Sequence, residues 1–234
     1  MIEIIPAVLS KNYEDLKNKI SLVRGLVPIA QIDICDGIFV KTKTWPFSEP
    51  DIDPHFKSIL SEQEGLPFWE DIDFELDLMV SDAVKNFDVY TKLGPRRIIF
   101  HLEAEEIQRD FSEFKNFLEG IDAYVRDTLE IGVAINPNTN LEQVFPLINC
   151  VDFVQVMGIE RIGFQGEKFN LKCLDQIKKL KKQFPDFVIS VDGGVNLETA
   201  QEIIDAGADR LAIGSAIFNT DDIIGTIGQF KNIN

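Results

Sequence analysis

The sequence predicts an α/β fold, a closed (β/α)8 TIM barrel that takes up residues 1–234 as a single domain. Two observations carry this prediction. Short apolar runs alternate with segments of helical period along the 234 residues, and polar residues collect at the carboxyl ends of the runs. Eight strand–helix units in a chain of this length favour a closed parallel barrel over an open sheet. In such barrels the chemistry is carried by the loops that follow the strands.

The predicted strands are short and apolar, and helical patterns separate them. The eight runs are EIIPAVL (3–9), PIAQIDI (28–34), DFELDLMV (73–80), RRIIFHLE (96–103), EIGVAIN (130–136), DFVQVMG (152–158), DFVISVDGG (186–194) and RLAIGSA (210–216). The clearest helical segments are YEDLKNKISLV (13–23), HFKSILSEQ (55–63), LEQVFPLI (141–148), LKCLDQIKKLKKQF (171–184) and LETAQEIIDAG (197–207). Lysines near the end of one helix and a glycine after another are typical stop signals.

One segment, residues 41–72, is too long for a simple connection. Besides the crossover helix it carries prolines at positions 46, 50, 54 and 67 and both tryptophans of the chain. Long segments of this kind form irregular surface loops with aromatic anchors, or they form a lid or an oligomer contact near the site. The sequence leaves both interpretations open.

Composition excludes several classes of function. A formal charge of −16 disfavours binding to a nucleic-acid backbone, and no apolar run is long enough to suggest a membrane span. The amino terminus has no secretory pattern, so we expect a cytoplasmic protein. The three cysteines are far apart and form no C-x-x-C pair, which argues against disulfides and a structural zinc site. A small phosphorylated ligand stays possible, because backbone N–H groups hold phosphate without net basic charge.

The stretch QIDICDGIFV (31–40) places polar groups on one face of a predicted strand. Gln31, Asp33 and Cys35 alternate with isoleucines, so they point into the barrel while the isoleucines point toward the helices. Asp77, with Glu75 two residues before it, and Asp192 occupy the same kind of position on other strands. Buried carboxylates without partners are costly. These acids therefore ring a metal, pair with hydrogen-bond donors, or carry shifted pKa values for catalysis.

Two glycine motifs on the last two strands predict a phosphate site. VDGGVN (191–196) supplies Gly193 and Gly194, and IGSAIF (213–218) supplies Gly214 and the hydroxyl of Ser215. Each motif is expected to lie between the end of a strand and the start of a helix. Barrels often bind phosphate there with backbone amides.

The chain resembles the ribulose-phosphate 3-epimerase family over nearly its whole length, which implies a ribulose-phosphate-binding type of barrel. The motifs that carry the resemblance are PAVLS (6–10), QIDICDGIFV (31–40), DLMV (77–80), HLE (101–103), INPNT (135–139), VQVMGIERIGFQGEKF (154–169), VDGGVN (191–196) and GADRLAIGSAIF (207–218). Members of this family bind one divalent metal with two histidines and two aspartates. They transfer protons with those aspartates, on opposite faces of the third carbon of the sugar.

The resemblance implies site residues, and several depart from the family's pattern. The four metal positions fall on Gln31, Asp33, Asp77 and Asp192, so Gln31 and Asp77 replace the two histidines; Asp33 and Asp192 are the implied catalytic pair. Ala7 stands where the family has serine and Cys35 where it has methionine, while Met79, Met157 and His101 are kept as site-lining residues. The glycine-rich loop after strand six reads RIGFQGE (161–167), one residue longer than usual, and we expect Gly166 to contact substrate.

An all-oxygen set of ligands changes the metal that the resemblance implies. Histidine suits zinc, iron or cobalt, whereas carboxylates and amide carbonyls suit magnesium, manganese or calcium. We therefore expect one divalent cation, Mn²⁺ or Mg²⁺ rather than Zn²⁺. Without a cation, mutual repulsion is expected to raise at least one carboxylate pKa.

Three functions are compatible with these residues. The first is an isomerase, a ketose-phosphate 3-epimerase that interconverts D-ribulose 5-phosphate and D-xylulose 5-phosphate through a metal-stabilised enediolate. The second is a related sugar-phosphate lyase or decarboxylase, against which Met79 counts, because those enzymes carry a lysine at that point of strand three. The third is a non-catalytic phosphosugar-binding protein. The expected partners are a phosphorylated ketose substrate and, as a homo-oligomer, further copies of the chain.

Overall fold

The computed structural model describes residues 2–48 and 51–233 and has a closed parallel barrel at its centre. Each strand is hydrogen-bonded to the next, and β8 pairs with β1 to close the sheet. The strands are β1 Glu3–Val8, β2 Ile29–Cys35, β3 Asp73–Met79, β4 Arg97–His101, β5 Glu130–Ile135, β6 Phe153–Met157, β7 Val188–Asp192 and β8 Arg210–Ile213. Every predicted strand is present, and the predicted (β/α)8 barrel is confirmed.

Helices surround the barrel, and four of the five predicted helical segments, 13–23, 55–63, 171–184 and 197–207, each overlap one of them. They are α1 Tyr13–Val23, α2 Pro54–Leu60, α3 Phe87–Thr91, α4 Glu105–Arg109, α5 Phe111–Gly120, α6 Ala123–Arg126, α7 Lys172–Gln183, α8 Ala200–Ala206, α9 Ser215–Phe218 and α10 Ile223–Lys231. Asn12 caps α1 by accepting a hydrogen bond from the backbone N–H of Asp15. Gly207 ends α8 in the left-handed conformation.

Two local predictions after β5 and β7 need correction. Residues 141–148 form two 3₁₀ turns, Leu141–Gln143 and Phe145–Leu147, instead of a continuous helix. Pro146 lacks the N–H that an α-helix would need there. The turn at Gly193 and Gly194 does not lead directly into a helix, because α8 begins only at Ala200, after a turn capped by Asn196.

Side chains of the strands divide into an outer and an inner apolar layer. Ile32 and Ile34 pack with the helices in the large outer core, whereas Cys35, Met79 and Met157 belong to a smaller cluster inside the barrel. The predicted alternation along β2 is therefore present. Burying an aliphatic side chain of this size stabilises the fold by about 1.5–3 kcal/mol, so a one-residue register shift in β2 would be strongly unfavourable.

The irregular segment 41–72 is only partly anchored by its aromatic residues. Trp45 is fully buried and meets Phe56 of α2 edge-on, so this tryptophan is an anchor as expected. Trp69 is 61% exposed, so it does not anchor the segment in the core. Glu49 and Pro50, which belong to the same segment, lie outside the described residues.

The amino-terminal end of the barrel interior is closed by a network of ion pairs. Arg97 contacts Glu75 at 3.2 Å, Glu130 at 3.0 Å and Glu3 at 3.1 Å. Arg210 contacts Glu3 and Glu130, each at 3.0 Å. Glu75, which the sequence groups with Asp77, thus belongs to this end of the barrel, and we call the five residues Glu3, Glu75, Arg97, Glu130 and Arg210 the base network.

Candidate active site

Three aspartates from three strands meet at the carboxyl-terminal end of the barrel, which we call the mouth. Asp33 on β2 and Asp77 on β3 are paired in the strand register, and Asp192 is the last residue of β7. One carboxylate oxygen from each lies within 4.8 Å of the others. All three side chains are buried. The structure therefore brings together the three acids that the sequence singles out.

Gln31 joins two of these acids. Its Nε2 donates hydrogen bonds to Oδ1 of Asp33 at 2.7 Å and to Oδ2 of Asp192 at 2.9 Å. Its Oε1 is buried and has no hydrogen-bond partner among the described residues. The amide thus presents its NH2 group to the carboxylates, whereas the resemblance implied that its oxygen faces a cation.

Burial and proximity change the acidity of this pair. Desolvation, followed by the nearby carboxylate of Asp77, raises the pKa of Asp33 to about 7. Desolvation and the charges of Asp33 and Asp77 also raise the pKa of Asp192 well above its ordinary value. The hydrogen bonds from Gln31 oppose these shifts, because they favour the ionised forms. The expected effect of mutual repulsion is therefore present.

Asp77 is held from both sides. Its Oδ1 lies 2.7 Å from Nε2 of His101, and its Oδ2 accepts a longer hydrogen bond from Nε2 of Gln155, at 3.5 Å. Ser190 donates in turn to Oε1 of Gln155 at 3.3 Å. Burial disfavours a charged imidazole, but the Asp77 carboxylate outweighs it and raises the pKa of His101.

Gln155 and Ser190 were not singled out from the sequence. Both belong to strand motifs that the sequence displays, DFVQVMG and VISVDGG, and both stand at buried positions of β6 and β7. A polar residue among strand-forming apolar residues was the available signal, because such a group needs a buried partner.

Sulfur atoms and a small residue line the rest of the mouth. Sγ of Cys35 lies 4.0 Å from Sδ of Met79, and Met157 belongs to the same buried cluster. Burial, with Asp33 and Asp77 nearby, raises the pKa of the Cys35 thiol, so it stays protonated. Ala7 also borders the mouth, beside Met79 and Met157.

The predicted phosphate residues and the acids border one cavity. Its lining includes Asp33 and Asp192 together with Gly166, Gly193, Gly194, Gly214 and Ser215. Gly193 and Gly194 have φ angles of +96° and +70°, which favour glycine. An added Cβ on Gly194 would lie only 2.7 Å from Cα of Phe169. The double-glycine turn is therefore packed directly against the end of the β6–α7 loop.

The donor set at the mouth fits a hard divalent cation. Asp33, Asp77 and Asp192 offer three oxygens close together, and Gln31 offers a fourth once its amide is turned so that the unpartnered Oε1 faces them. Carboxylate and amide oxygens are ligands of Mg²⁺, Mn²⁺ and Ca²⁺.

Comparison with known proteins identifies the family. The model of the "Ribulose-phosphate 3 epimerase family" matches residues 3–218. This chain belongs to that family. The ribulose-phosphate 3-epimerase of Bacillus subtilis is 30% identical over 238 residues, covering 99% of each chain. The cytoplasmic isoform of the same enzyme from Oryza sativa subsp. japonica is 30% identical, over 92% of this chain and 87% of its own. Membership confirms the expectation of an isomerase of the epimerase class.

Solved structures share the fold at lower identity. KGPDC from Streptococcus mutans has a TM-score of 0.67 at 15% identity and covers 99% of this chain and 96% of its own. The 3-hexulose-6-phosphate synthase from Salmonella typhimurium has a TM-score of 0.66 at 14% identity, over 99% and 98%. These similarities support the barrel architecture of this epimerase-family chain.

Proposed function

We propose that this protein is a D-ribulose-5-phosphate 3-epimerase that interconverts D-ribulose 5-phosphate and D-xylulose 5-phosphate. The observation that carries the proposal is the Asp33–Gln31–Asp192 arrangement, in which one amide holds two buried carboxylates at hydrogen-bond distance. Inversion at the third carbon needs a base on one face and an acid on the other. Family membership supports the same reaction.

The two aspartates divide the proton transfers. The proton at the third carbon is acidic because it is next to the ketone, and an ionised aspartate removes it. The other aspartate, carrying a proton, delivers it to the opposite face. Burial and mutual repulsion raise the pKa of both Asp33 and Asp192, which favours retention of a proton by the pair, as the delivering aspartate requires. The reverse reaction exchanges the two roles.

The residues that would hold a metal are Asp33, Asp77, Asp192 and Oε1 of Gln31. A divalent cation there would offset the negative charge that develops on the substrate oxygens during proton removal. We propose Mn²⁺ or Mg²⁺ because the donors are all oxygen. Elemental analysis of the purified protein is expected to find one of these two ions, and zinc at full occupancy would contradict the proposal.

Solvent deuterium exchange followed by NMR tests the reaction. The protein is stripped of metal, supplied with Mn²⁺, Mg²⁺ or Zn²⁺, and incubated with D-ribulose 5-phosphate in heavy water. Deuterium at the third carbon, with D-xylulose 5-phosphate appearing, is the expected result. Measurable binding without exchange under any metal would instead identify a phosphosugar-binding protein that has no epimerase activity.

We further propose a cytoplasmic protein that folds as one domain and forms a homo-oligomer. Within residues 2–48 and 51–233, no helix is long and apolar enough to cross a membrane. Sedimentation velocity tests the assembly, and a purely monomeric protein at micromolar concentration would contradict this part of the proposal.

A further inference from the structure

The cavity at the mouth has few side chains that could hold an anion. Its polar side chains are those of Asp33, Asp192, Gln165 and Ser215, and no lysine, arginine or histidine of the described ranges lines it. A substrate phosphate would therefore enter a cavity that already holds two carboxylates. Backbone N–H groups aside, the amide of Gln165 and the hydroxyl of Ser215 are the side-chain donors on hand.

Gln165 already reaches into this cavity. Its Nε2 donates a hydrogen bond of 3.3 Å to the carbonyl oxygen of Ala7, at the end of the barrel where β1 and β8 meet. The same nitrogen packs on the backbone of Gly214, where an added Cβ would lie 2.5 Å from it. Glycine at position 214 therefore leaves room for the amide in this position. Because Gly214 is one of the predicted phosphate residues, the amide lies within the predicted phosphate site.

The loop that carries Gln165 has to move before substrate binds. The enclosed space at the mouth is about 40 Å³, little more than the volume of one water molecule and far below that of a typical small-molecule site. Both ends of the loop are held, since Gly158 donates to the carbonyl of Asp192 and Phe169 packs against Gly194. Movement is thus confined to the segment between them, which contains Gly163 and Gly166, each with a positive φ.

We infer that Gln165 is a substrate-binding residue whose amide exchanges its hydrogen bond to Ala7 for one to the phosphate group of the substrate. This inference rests on the proposed function, since it assigns the phosphate end of the proposed substrate to this part of the cavity. The amide is neutral, so it stabilises the phosphate without disturbing the nearby carboxylates.

The test compares Gln165→Glu and Gln165→Ala with the wild type. The glutamate has nearly the same shape but places a carboxylate beside the phosphate, so the Kd for inorganic phosphate, measured by calorimetry, should rise more than tenfold. The alanine removes one neutral hydrogen bond and should raise the Kd by about 2- to 12-fold, the range expected for such a bond. Gln183→Glu, the same chemical change at an exposed position of α7, should leave the Kd unchanged.

Turnover supplies an independent measurement. For D-ribulose 5-phosphate the two Gln165 variants should raise KM with little change in kcat, and with unphosphorylated D-ribulose the Gln165→Glu penalty should disappear. Thermal unfolding checks that each variant is folded. Unchanged or tighter phosphate binding by both variants, or no phosphate binding by the wild type, overturns the inference. A wild type that binds phosphate through Gln165 but does not exchange deuterium supports it while rejecting the epimerase.

Discussion

The two ends of the barrel interior each hold three carboxylates, but the two groups differ in the positive charge that lies beside them. At the base, Glu3, Glu75 and Glu130 share two guanidinium groups at distances of 3.0 to 3.2 Å. At the mouth, Asp33, Asp77 and Asp192 lie together with a neutral amide and a single imidazole. The three acids at the base are thus partly neutralised by two arginines, whereas the three acids at the mouth have far less positive charge beside them.

The difference in nearby positive charge distinguishes the structural role of the base from the chemical role of the mouth. Burial alone would raise the pKa of Glu130, but Arg97 and Arg210 lower it below its ordinary value. Burial raises the pKa of Glu75 to about 7 even beside Arg97, so one acid of the base also carries a desolvation penalty. Among the described residues, no arginine opposes the desolvation of Asp33 and Asp192 at the mouth, and mutual repulsion adds to that desolvation. A site short of positive charge suits the binding of a cation and the exchange of protons.

The largest expected effect is on turnover at the mouth. Asp33→Asn or Asp192→Asn removes an acid–base group and should lower kcat by about 10²- to 10⁴-fold, the usual contribution of such a group. Each change also relieves repulsion, so the metal-free variant should unfold at higher urea than the wild type. Glu130→Gln, the matched change at the base, should keep the wild-type kcat and unfold at lower urea. Loss of stability in both mouth variants would break the comparison.

The next effect is on stability at the base. Arg97→Met leaves Glu75 buried without its partner, and removing one member of a buried ion pair costs about 3–5 kcal/mol. Urea denaturation at pH 7 measures this loss. Arg96→Met is the control, because Arg96 is largely exposed and comes no nearer than 3.9 Å to the carboxylate of Glu130. That change should cost less than about 1 kcal/mol, and equal losses for the two arginines would contradict the role of Arg97.

A smaller effect is expected in the pH dependence of the melting temperature. The folded pKa of Asp33 is about 7, above its ordinary 3.8, so the metal-free protein is penalised as this group ionises. Its stability should fall as pH rises from 5 to 8. Glu130 has a lowered pKa, so its contribution is present above 4.5 and is lost only in more acidic solution. Calorimetric scans in EDTA should show both trends, and a Tm that rises from pH 5 to 8 would contradict the first.

The fold could be predicted because each strand carries its own signal. Alternation along β2 placed Asp33 inside and Ile32 outside without any knowledge of the neighbouring strands. The three converging aspartates followed from the rule that strand ends meet at one mouth. Partners could not be predicted in this way, because they depend on side-chain directions across strands. The bridging NH2 of Gln31 and the reach of Gln165 to Ala7 are of that kind.

The base network was missed for a similar reason. Its members lie near the beginnings of the strands, and only the register pairs Glu75 with Arg97 and Arg97 with Glu130. The two 3₁₀ turns at residues 141–147 show the limit of helical periodicity. The apolar spacing there fits a helix, but one proline removes a backbone donor and the chain takes shorter turns.

The most direct test of this account is to titrate the metal-stripped protein with Mn²⁺ at pH 8 and to measure the melting temperature at each metal concentration. The acids at the base already have two arginines beside them. If the acids at the mouth instead need a bound cation, Mn²⁺ should raise the Tm and abolish the fall in Tm between pH 5 and 8. Asp77→Asn, which removes one of the three oxygens, should weaken the response. A Tm that does not respond to Mn²⁺ or Mg²⁺ in the wild type would contradict the central claim that the three aspartates form a cation site.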